Sequence, residues 1–176
     1  MRPDDVGVCE EEALRAALAG RLSPSSVIVG IGNRDRGDDA FGPALIDALR
    51  GRTTAALADA GTVPENFAQQ IAAGRPDTVL FADAAELGEA PGRLVVRSAE
   101  ALADCGISTH AGNVSLIAEY VTAISGACCL FLLAQPAWTN RPTMAGPSVQ
   151  DGLSPPLRDA VSRACRAILG ALGGAG

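Results

Sequence analysis

The stretch VIVGIGNRDRGDDAFG, residues 27–42, passes from an apolar run into a glycine-rich turn and then into a helical pattern. Its first residues are apolar and mostly β-branched, which is typical of a strand that is covered on both faces. Glycines follow at Gly30, Gly32 and Gly37. Because Phe41, Leu45 and Leu49 then recur at helical spacing, the stretch predicts a strand, a sharp turn and a helix.

The rest of the chain repeats this alternation of strand-like and helix-like segments. Strand-like runs lie at residues 54–61, 77–83, 92–98 and 127–136, and helical patterns lie at 64–74, 113–125 and 154–172. The pattern at 113–125 places Leu116, Tyr120 and Ile124 on one apolar helical face. Strands that alternate with helices favour a mostly parallel, twisted sheet with helices on both faces. The sequence therefore predicts a three-layer α/β/α sandwich.

The chain divides into a short extension and one larger unit. Residues 1–22 have a helical pattern of their own and predict an N-terminal helical extension. Residues 23–172 predict a single α/β domain, since typical domains contain about 100 to 200 residues. Residues 137–152 are rich in proline and glycine and predict a long loop.

Composition excludes several classes of function. The formal net charge is −6, with no basic run, which disfavours nucleic acid as a partner. The five cysteines are odd in number and lack C-x-x-C spacing, so we expect reduced thiols in the cytosol. No apolar run approaches the about 18 residues of a membrane span, and the N-terminus does not resemble a signal peptide. We therefore expect a cytoplasmic protein without membrane insertion.

The glycine-rich turn resembles a phosphate-binding loop but lacks its key residues. Asp35 stands where a dinucleotide fingerprint needs its third glycine, and Asp38 and Asp39 stand where a P-loop needs Lys and Ser or Thr. Carboxylates would repel a phosphate and would suit a cation. A nucleotide-binding domain is therefore disfavoured. For this motif alone, helix capping by Asp38 or Asp39 is the commoner alternative to a functional role.

Two further polar residues occur where functional residues of such a sheet collect, at the carboxyl ends of its strands. Asp83 directly follows the apolar run TVLFA, although a helix cap or a satisfied turn would also explain it. His110, the single histidine, lies in the polar loop GISTHAGN, where a structural or exposed role is the alternative. With one acid of the earlier pair, these residues would form an open three-ligand metal site with room for water or substrate.

Several stretches, taken in order, resemble the hydrogenase maturation endopeptidases. They are GIGNRDRGDDAFGP, DAGTVPENF, RPDTVLFADAAELGEAPGRLVVRS, STHAGNVSLIAEYV, LFLLAQP and LSPPLRDAV. The resemblance extends from about residue 26 to about residue 170. Within the family, the sequence is most similar to the branch that processes nickel-iron hydrogenases of the formate-hydrogenlyase type.

The resemblance implies a phosphorylase/hydrolase-like α/β/α fold and a specific reaction. It implies an endopeptidase, of aspartic or metal-dependent type, that removes the C-terminal extension from a nickel-iron hydrogenase large-subunit precursor after nickel insertion. The family's catalytic and metal-binding positions correspond to Asp39, Asp83 and His110. The nickel is expected to come with the substrate, so the purified protein can lack metal. A mixed oxygen and nitrogen ligand set without thiolate suits such a borderline cation.

Some residues depart from the family pattern. Asp39 is an aspartate where relatives often have glutamate, and charged Arg34, Asp35 and Arg36 replace apolar residues of the substrate-contacting loop. No serine or cysteine has a second histidine as its base, so a hydrolase here would use metal-activated water or the substrate's nickel. The alternative is a non-catalytic metal-binding or chaperone-like module that recognises the precursor without cutting it.

Overall fold

The computed structural model describes residues 3–103, 111–137 and 152–173. The helices are α1 (Pro3–Leu18), α2 (Phe41–Leu49), α3 (Ala68–Ala73), α4 (Ala99–Ala103), α5 (Ala111–Ser125) and α6 (Pro155–Gly173). The strands are β1 (Val27–Ile31), β2 (Ala56–Gly61), β3 (Thr78–Ala84), β4 (Leu94–Ser98) and β5 (Cys128–Ala134). Short 3₁₀ turns over Gly37–Ala40 and Pro64–Phe67 lead into α2 and α3.

The described strands form one mixed sheet in the order β2-β1-β3-β5-β4. β1 pairs in parallel with β2 and β3, and β3 pairs in parallel with β5. β4 is antiparallel to β5 at the edge of the sheet. The predicted α/β class and the mostly parallel sheet are therefore confirmed.

The two faces of the sheet bury separate apolar clusters, as a three-layer sandwich requires. Side chains of β3 alternate between them: Leu80 and Ala82 pack with α1, α2 and α6. Val79 and Phe81 pack with α3, α4 and α5, and the Phe81 ring stacks on Phe131 with centroids 5.4 Å apart. Helices thus cover both faces of β3, which explains why its sequence is apolar almost without interruption.

Helix α5 presents a different face to the sheet from the one its spacing highlighted. Leu116, Tyr120 and Ile124 do share one side of the helix, but all three side chains are exposed. The buried face consists of Val114, Ile117, Ala118 and Val121. Because the helix is apolar on much of its circumference, the spacing alone did not decide which face would pack.

The N-terminal helix packs against the last helix. Leu14 and Leu18 of α1 are buried in the cluster that contains α6. Arg163 of α6 donates to Glu10 of α1 at 2.8 Å and to Asp159 one turn away at 2.7 Å. The boundary between an extension at 1–22 and a domain at 23–172 stays a prediction.

Other sequence predictions have mixed outcomes. None of the helices among the described residues has the length and apolarity to cross a membrane. The cytoplasmic location stays a prediction. Most of the predicted loop at 137–152 lies outside the described residues.

Candidate metal centre

The candidate site lies where the strand order reverses. Within the sheet, β2 lies on one side of β1 and β3 lies on the other side. In open α/β sheets, the crevice at the carboxyl ends of two such strands is the usual ligand site. Gly30 of β1 is the register partner of Ala82 of β3, so these carboxyl ends lie side by side. The first 3₁₀ turn follows β1 at this edge.

Glycines allow the turn to fold back closely on β1. A Cβ atom on Gly30 would lie 2.5 Å from the carbonyl oxygen of Gly42, so β1 and α2 approach here backbone to backbone. Gly32 has a φ of +131°, and a Cβ on it would lie 1.8 Å from the carbonyl oxygen of Asp39. Only glycine fits this position without displacing the backbone that carries Asp39.

Asp39 lies within the first 3₁₀ turn and is partly exposed. One of its carboxylate oxygens accepts a hydrogen bond from the backbone N–H of Asn33 at 3.0 Å. This bond closes the glycine-rich turn and holds the carboxylate beside the end of β1. Neither the 3₁₀ turn nor α2 has a side-chain cap, so the capping alternative for Asp38 and Asp39 is wrong.

Asp38 has a different role from its neighbour, since its side chain is buried. Its carboxylate accepts hydrogen bonds from the backbone N–H of Ala137 at 2.8 Å and of Ser154 at 2.7 Å. The Ser154 hydroxyl donates a third bond at 2.9 Å. Asp38 thereby fixes the 3₁₀ turn to two chain segments on either side of residues 138–151. Sequence reasoning did not identify this role, because both partners lie far along the chain.

Asp83 lies near the end of β3 and is buried, with 7% of its surface exposed. Strand alternation places it on the same face as Val79 and Phe81, which is the face covered by α5. Burial, followed by the negative charge of Asp39, raises the pKa of Asp83 to about 7, although the N–H of Ala84 at 2.8 Å opposes the shift. Asp83 therefore holds its proton to a much higher pH than an ordinary aspartate does.

His110 lies outside the described residues, so its position relative to the two carboxylates stays a prediction. In the chain it directly precedes α5, the helix that packs on the Asp83 face of the sheet. Among the residues that the structure describes, no group of three or more His, Cys, Asp or Glu side chains could hold a metal ion. Asp39 and Asp83 lie near enough for the charge of Asp39 to act on Asp83, and their sharing of one ion stays a prediction.

The loop after β3 is held by a residue that sequence reasoning missed. Gln135 follows β5 and is buried. Its side-chain oxygen accepts from the N–H groups of Leu87 at 2.7 Å and Glu89 at 3.2 Å. Its amide donates to Glu86 at 2.9 Å and to the Pro136 carbonyl at 3.1 Å. Gln135 therefore holds in place the loop that follows Asp83 in the chain.

The charged loop after β1 is partly neutralised within the fold. Arg34 forms salt bridges with Asp47 at 2.6 Å and with Asp59 at 2.7 Å. These two carboxylates raise the pKa of the Arg34 guanidinium. A groove of about 380 Å³ lies beside it, next to the turn that carries Asp39. Its lining residues are Gly32, Asn33, Arg34, Asp59, Ala60, Gly61, Thr62 and Phe67.

The two carboxylates suit a divalent cation. Asp83 is buried and faces a second negative charge, and the hydrogen bond it receives from the described residues comes from its neighbour Ala84. A cation between Asp39 and Asp83 would remove this repulsion and stabilise both ionised forms. Carboxylate oxygens joined by one imidazole are an acceptable ligand set for nickel. The described carboxylates are therefore compatible with a divalent cation, and the identification of that cation as nickel stays a prediction.

Comparison with known proteins identifies the family. The family model for hydrogenase maturation protease, HycI, matches residues 44–171. This match covers well over half of the chain, so the protein belongs to the hydrogenase maturation protease family. The resemblance seen in the sequence is thereby confirmed, while the formate-hydrogenlyase branch stays a prediction. The matched range contains Asp83 and His110 and begins after Asp39.

Individual relatives agree with this assignment. A "Putative hydrogenase maturation protease" of Methanocaldococcus jannaschii is 28% identical over 62% of this chain and 71% of its own length. The crystal structure of the NiFe hydrogenase maturation protease HycI from Thermococcus kodakarensis has a TM-score of 0.75 and 28% identity, covering 92% of this chain and 99% of that one. The Escherichia coli endopeptidase HybD shares the fold, with a TM-score of 0.67 and 20% identity over 86% of this chain and 93% of that one.

Proposed function

We propose that this protein removes the C-terminal extension from the large-subunit precursor of a nickel-iron hydrogenase after nickel insertion. In this proposal Asp39, Asp83 and His110 bind the nickel that the precursor carries. The nickel is part of the substrate, and the protease needs no metal of its own between turnovers. The membership in a protease family supports hydrolysis rather than a purely chaperone-like role.

One observation supports the proposal: a buried carboxyl group lies near a second carboxylate at the carboxyl edge of the sheet. Burial and the charge of Asp39 raise the pKa of Asp83 to about 7. A buried charge without a counter-charge lowers the stability of the folded state. An uncharged residue at this position would therefore give a more stable protein. Perturbed carboxyl groups in a crevice are typical of functional sites. A bound cation is the simplest group that would satisfy both acids.

Each residue would have a defined task. Asp83 would release its proton as the nickel binds, because a carboxyl group binds a metal in its deprotonated form and the positive charge of the ion lowers its pKa. Asp39 would supply the more accessible carboxylate oxygen, and neutral His110 the nitrogen. Nickel held in this way would polarise the scissile carbonyl or a water molecule. A precursor that lacks nickel would not engage all three ligands and would not be cut.

The proposal is tested with purified protein and three preparations of the precursor: nickel-loaded, zinc-loaded and metal-free. The mass of the large subunit is followed over time. We expect shortening of the nickel-loaded precursor alone. His110→Ala and Asp39→Asn should abolish this cleavage, and Asp77→Asn, the same change at the opposite end of the sheet, should retain it.

Two outcomes would contradict this mechanism. Cleavage of the metal-free precursor by the unaltered protein would remove nickel as the signal. Undiminished cleavage by His110→Ala would remove the histidine from the site. Stable binding of the nickel-loaded precursor without any change in its mass would support the non-catalytic alternative instead.

A further inference from the structure

The large exposed apolar side chains of the described residues are concentrated in one region. They are Leu116 at 63% exposure, Ile124 at 59%, and Tyr120 and Val63 at 44% each. Leu116, Tyr120 and Ile124 recur every four residues on α5 and form a continuous line, which we call the α5 stripe. Val63 directly precedes the second 3₁₀ turn, which packs against α5. Contiguous apolar surface of this kind commonly marks an interaction site.

A groove runs beside the α5 stripe. It has a volume of about 480 Å³ and lies between α5 and the segment that includes the second 3₁₀ turn and the start of α3. The groove is lined by Glu65, Ala68, Gln69, Leu116, Ile117 and Tyr120. Apolar side chains in an open groove, with polar groups at its margin, suit an amphipathic segment of another protein.

The charges around the groove restrict its occupant. Residues 64–74 and 111–125 contain two acids, Glu65 and Glu119, and no lysine or arginine. An apolar segment flanked by Lys or Arg would complement both the groove and its acids. A second copy of this chain, docked through the same face, would bring acids against acids and is disfavoured.

The groove also begins at the edge of the sheet that holds the candidate metal centre. β2 ends at Gly61 on the carboxyl edge, and the second 3₁₀ turn follows directly. α5 starts at the same edge, because it leads back to the amino end of the parallel strand β5. At the usual helical rise, Leu116 lies only about 8 Å along the axis from the start of α5. A protein bound in the groove would therefore lie at the same edge of the sheet as Asp39 and Asp83.

We propose that the α5 stripe and its groove bind an apolar segment, flanked by Lys or Arg, on the folded body of the hydrogenase large-subunit precursor. This inference rests on the proposed function, because it gives the same substrate a second contact away from the metal. Binding in the groove holds the precursor while its C-terminal extension lies at the carboxyl edge. Recognition of the correct subunit is thereby separated from recognition of the nickel.

The test measures binding and cleavage of the purified nickel-loaded precursor from the same organism. The variant Leu116→Ser/Ile124→Ser should bind the precursor at least about tenfold more weakly, because each change removes exposed apolar surface from the interface. Its cleavage rate should fall at low precursor concentration and recover at saturation. Glu65→Lys/Glu119→Lys should also bind more weakly, with a smaller loss at high salt. Glu12→Lys, an exposed acid on α1, is the matched control and should leave both quantities unchanged.

Because the altered side chains are exposed, we expect each variant to fold normally. Thermal unfolding of each variant checks this. Unchanged affinity of the stripe variant, alongside normal cleavage by the unaltered protein, would overturn the docking surface and leave the proposed function standing. A concentration-dependent dimer that the stripe substitutions dissociate would assign the surface to a second copy and would also overturn the proposal. Absence of both binding and cleavage by the unaltered protein would instead remove the proposed function itself.

Discussion

Strand β3 has an aspartate at each end, and the two carboxyl groups have opposite environments. Asp77, just before the strand, is exposed and accepts hydrogen bonds from the hydroxyl groups of Ser23 and Ser26. Burial raises its pKa, but these bonds outweigh burial and leave the pKa below its usual value. Asp83, at the other end, is buried beside Asp39, and its pKa is raised to about 7.

The contrast shows two kinds of carboxyl environment at the two ends of one strand. At the amino end the carboxylate has enough donors for its charge, and it joins β3 to the segment before β1. At the carboxyl end the donors go elsewhere: Ser154 and Ala137 bind Asp38, and Asn33 binds Asp39. Asp83 accepts a hydrogen bond from the N–H of its neighbour Ala84 and is affected by the negative charge of Asp39. The carboxylate at the amino end is therefore satisfied by donors within the fold, whereas at the carboxyl end two acids lie near each other.

Gly32→Val is expected to have the largest effect. It would disrupt the turn that carries Asp39 at the carboxyl edge of the sheet and leave the opposite edge unchanged. The new side chain would occupy a left-handed backbone conformation and would approach the Asp39 carbonyl at 1.8 Å. We expect a loss of unfolding free energy on the order of 4 kcal/mol or more, measured by urea denaturation. Metal binding should be lost in any fraction that remains folded.

Gly51→Ala is the matched control for this substitution. Gly51 also has a positive φ, +72°, but nothing lies within 4 Å of a Cβ atom placed there. It should cost only about 1 kcal/mol, from the backbone conformation itself. If the two variants were equally stable, the close approach of Gly32 to Asp39 would not be what constrains the turn.

Asp83→Asn should produce the next largest effect, and it should stabilise the metal-free protein. The folded pKa of about 7 exceeds the ordinary value of 3.8, so the folded state holds the proton more tightly than the unfolded state. Stability of the unaltered protein is therefore lost as pH rises from about 4 to about 7. At pH 8 the variant should be more stable by on the order of 3 kcal/mol, and below pH 4 the difference should vanish.

Chelator-treated protein, unfolded by urea at several pH values, provides the measurement. Added nickel should reverse the order at pH 8, because the unaltered protein gains binding energy that Asp83→Asn cannot. A variant that is less stable than the unaltered protein at every pH would show that Asp83 is satisfied by groups within the fold.

Much of the fold was predictable because local patterns agreed with the final packing. The apolar run TVLFA followed by Asp83 identified both β3 and the edge at which its carboxylate lies. On α5 the pattern was ambiguous: Leu116 and Ile117 are adjacent and both apolar, but only Ile117 is buried. Periodicity locates a helical face, and the tertiary neighbours decide whether that face is covered.

The site was less predictable, because its supporting contacts are distant in sequence. The sequence identified Asp38 and Asp39 as a pair of acids. Nothing local indicated that Asp38 is buried and accepts hydrogen bonds from Ala137 and Ser154. Gln135 supports a loop that precedes it by almost fifty residues, again without a local signal. The position of His110 stays a prediction.

Asp77→Asn is expected to have the smallest effect and sharpens the comparison from the amino end. Because the pKa of Asp77 is lowered in the folded state, its contribution to stability is present above the ordinary value of 3.8 and is lost as pH falls through the folded pKa. Asp77 is exposed, so screening by solvent limits the loss at pH 7 to about 0.5 to 1 kcal/mol. The difference from the unaltered protein should close as pH falls through this lowered pKa, the reverse of the trend for Asp83→Asn. Urea unfolding of both variants in one pH series measures the two slopes together, and slopes of the same sign would show that the two ends of β3 do not differ in the way described.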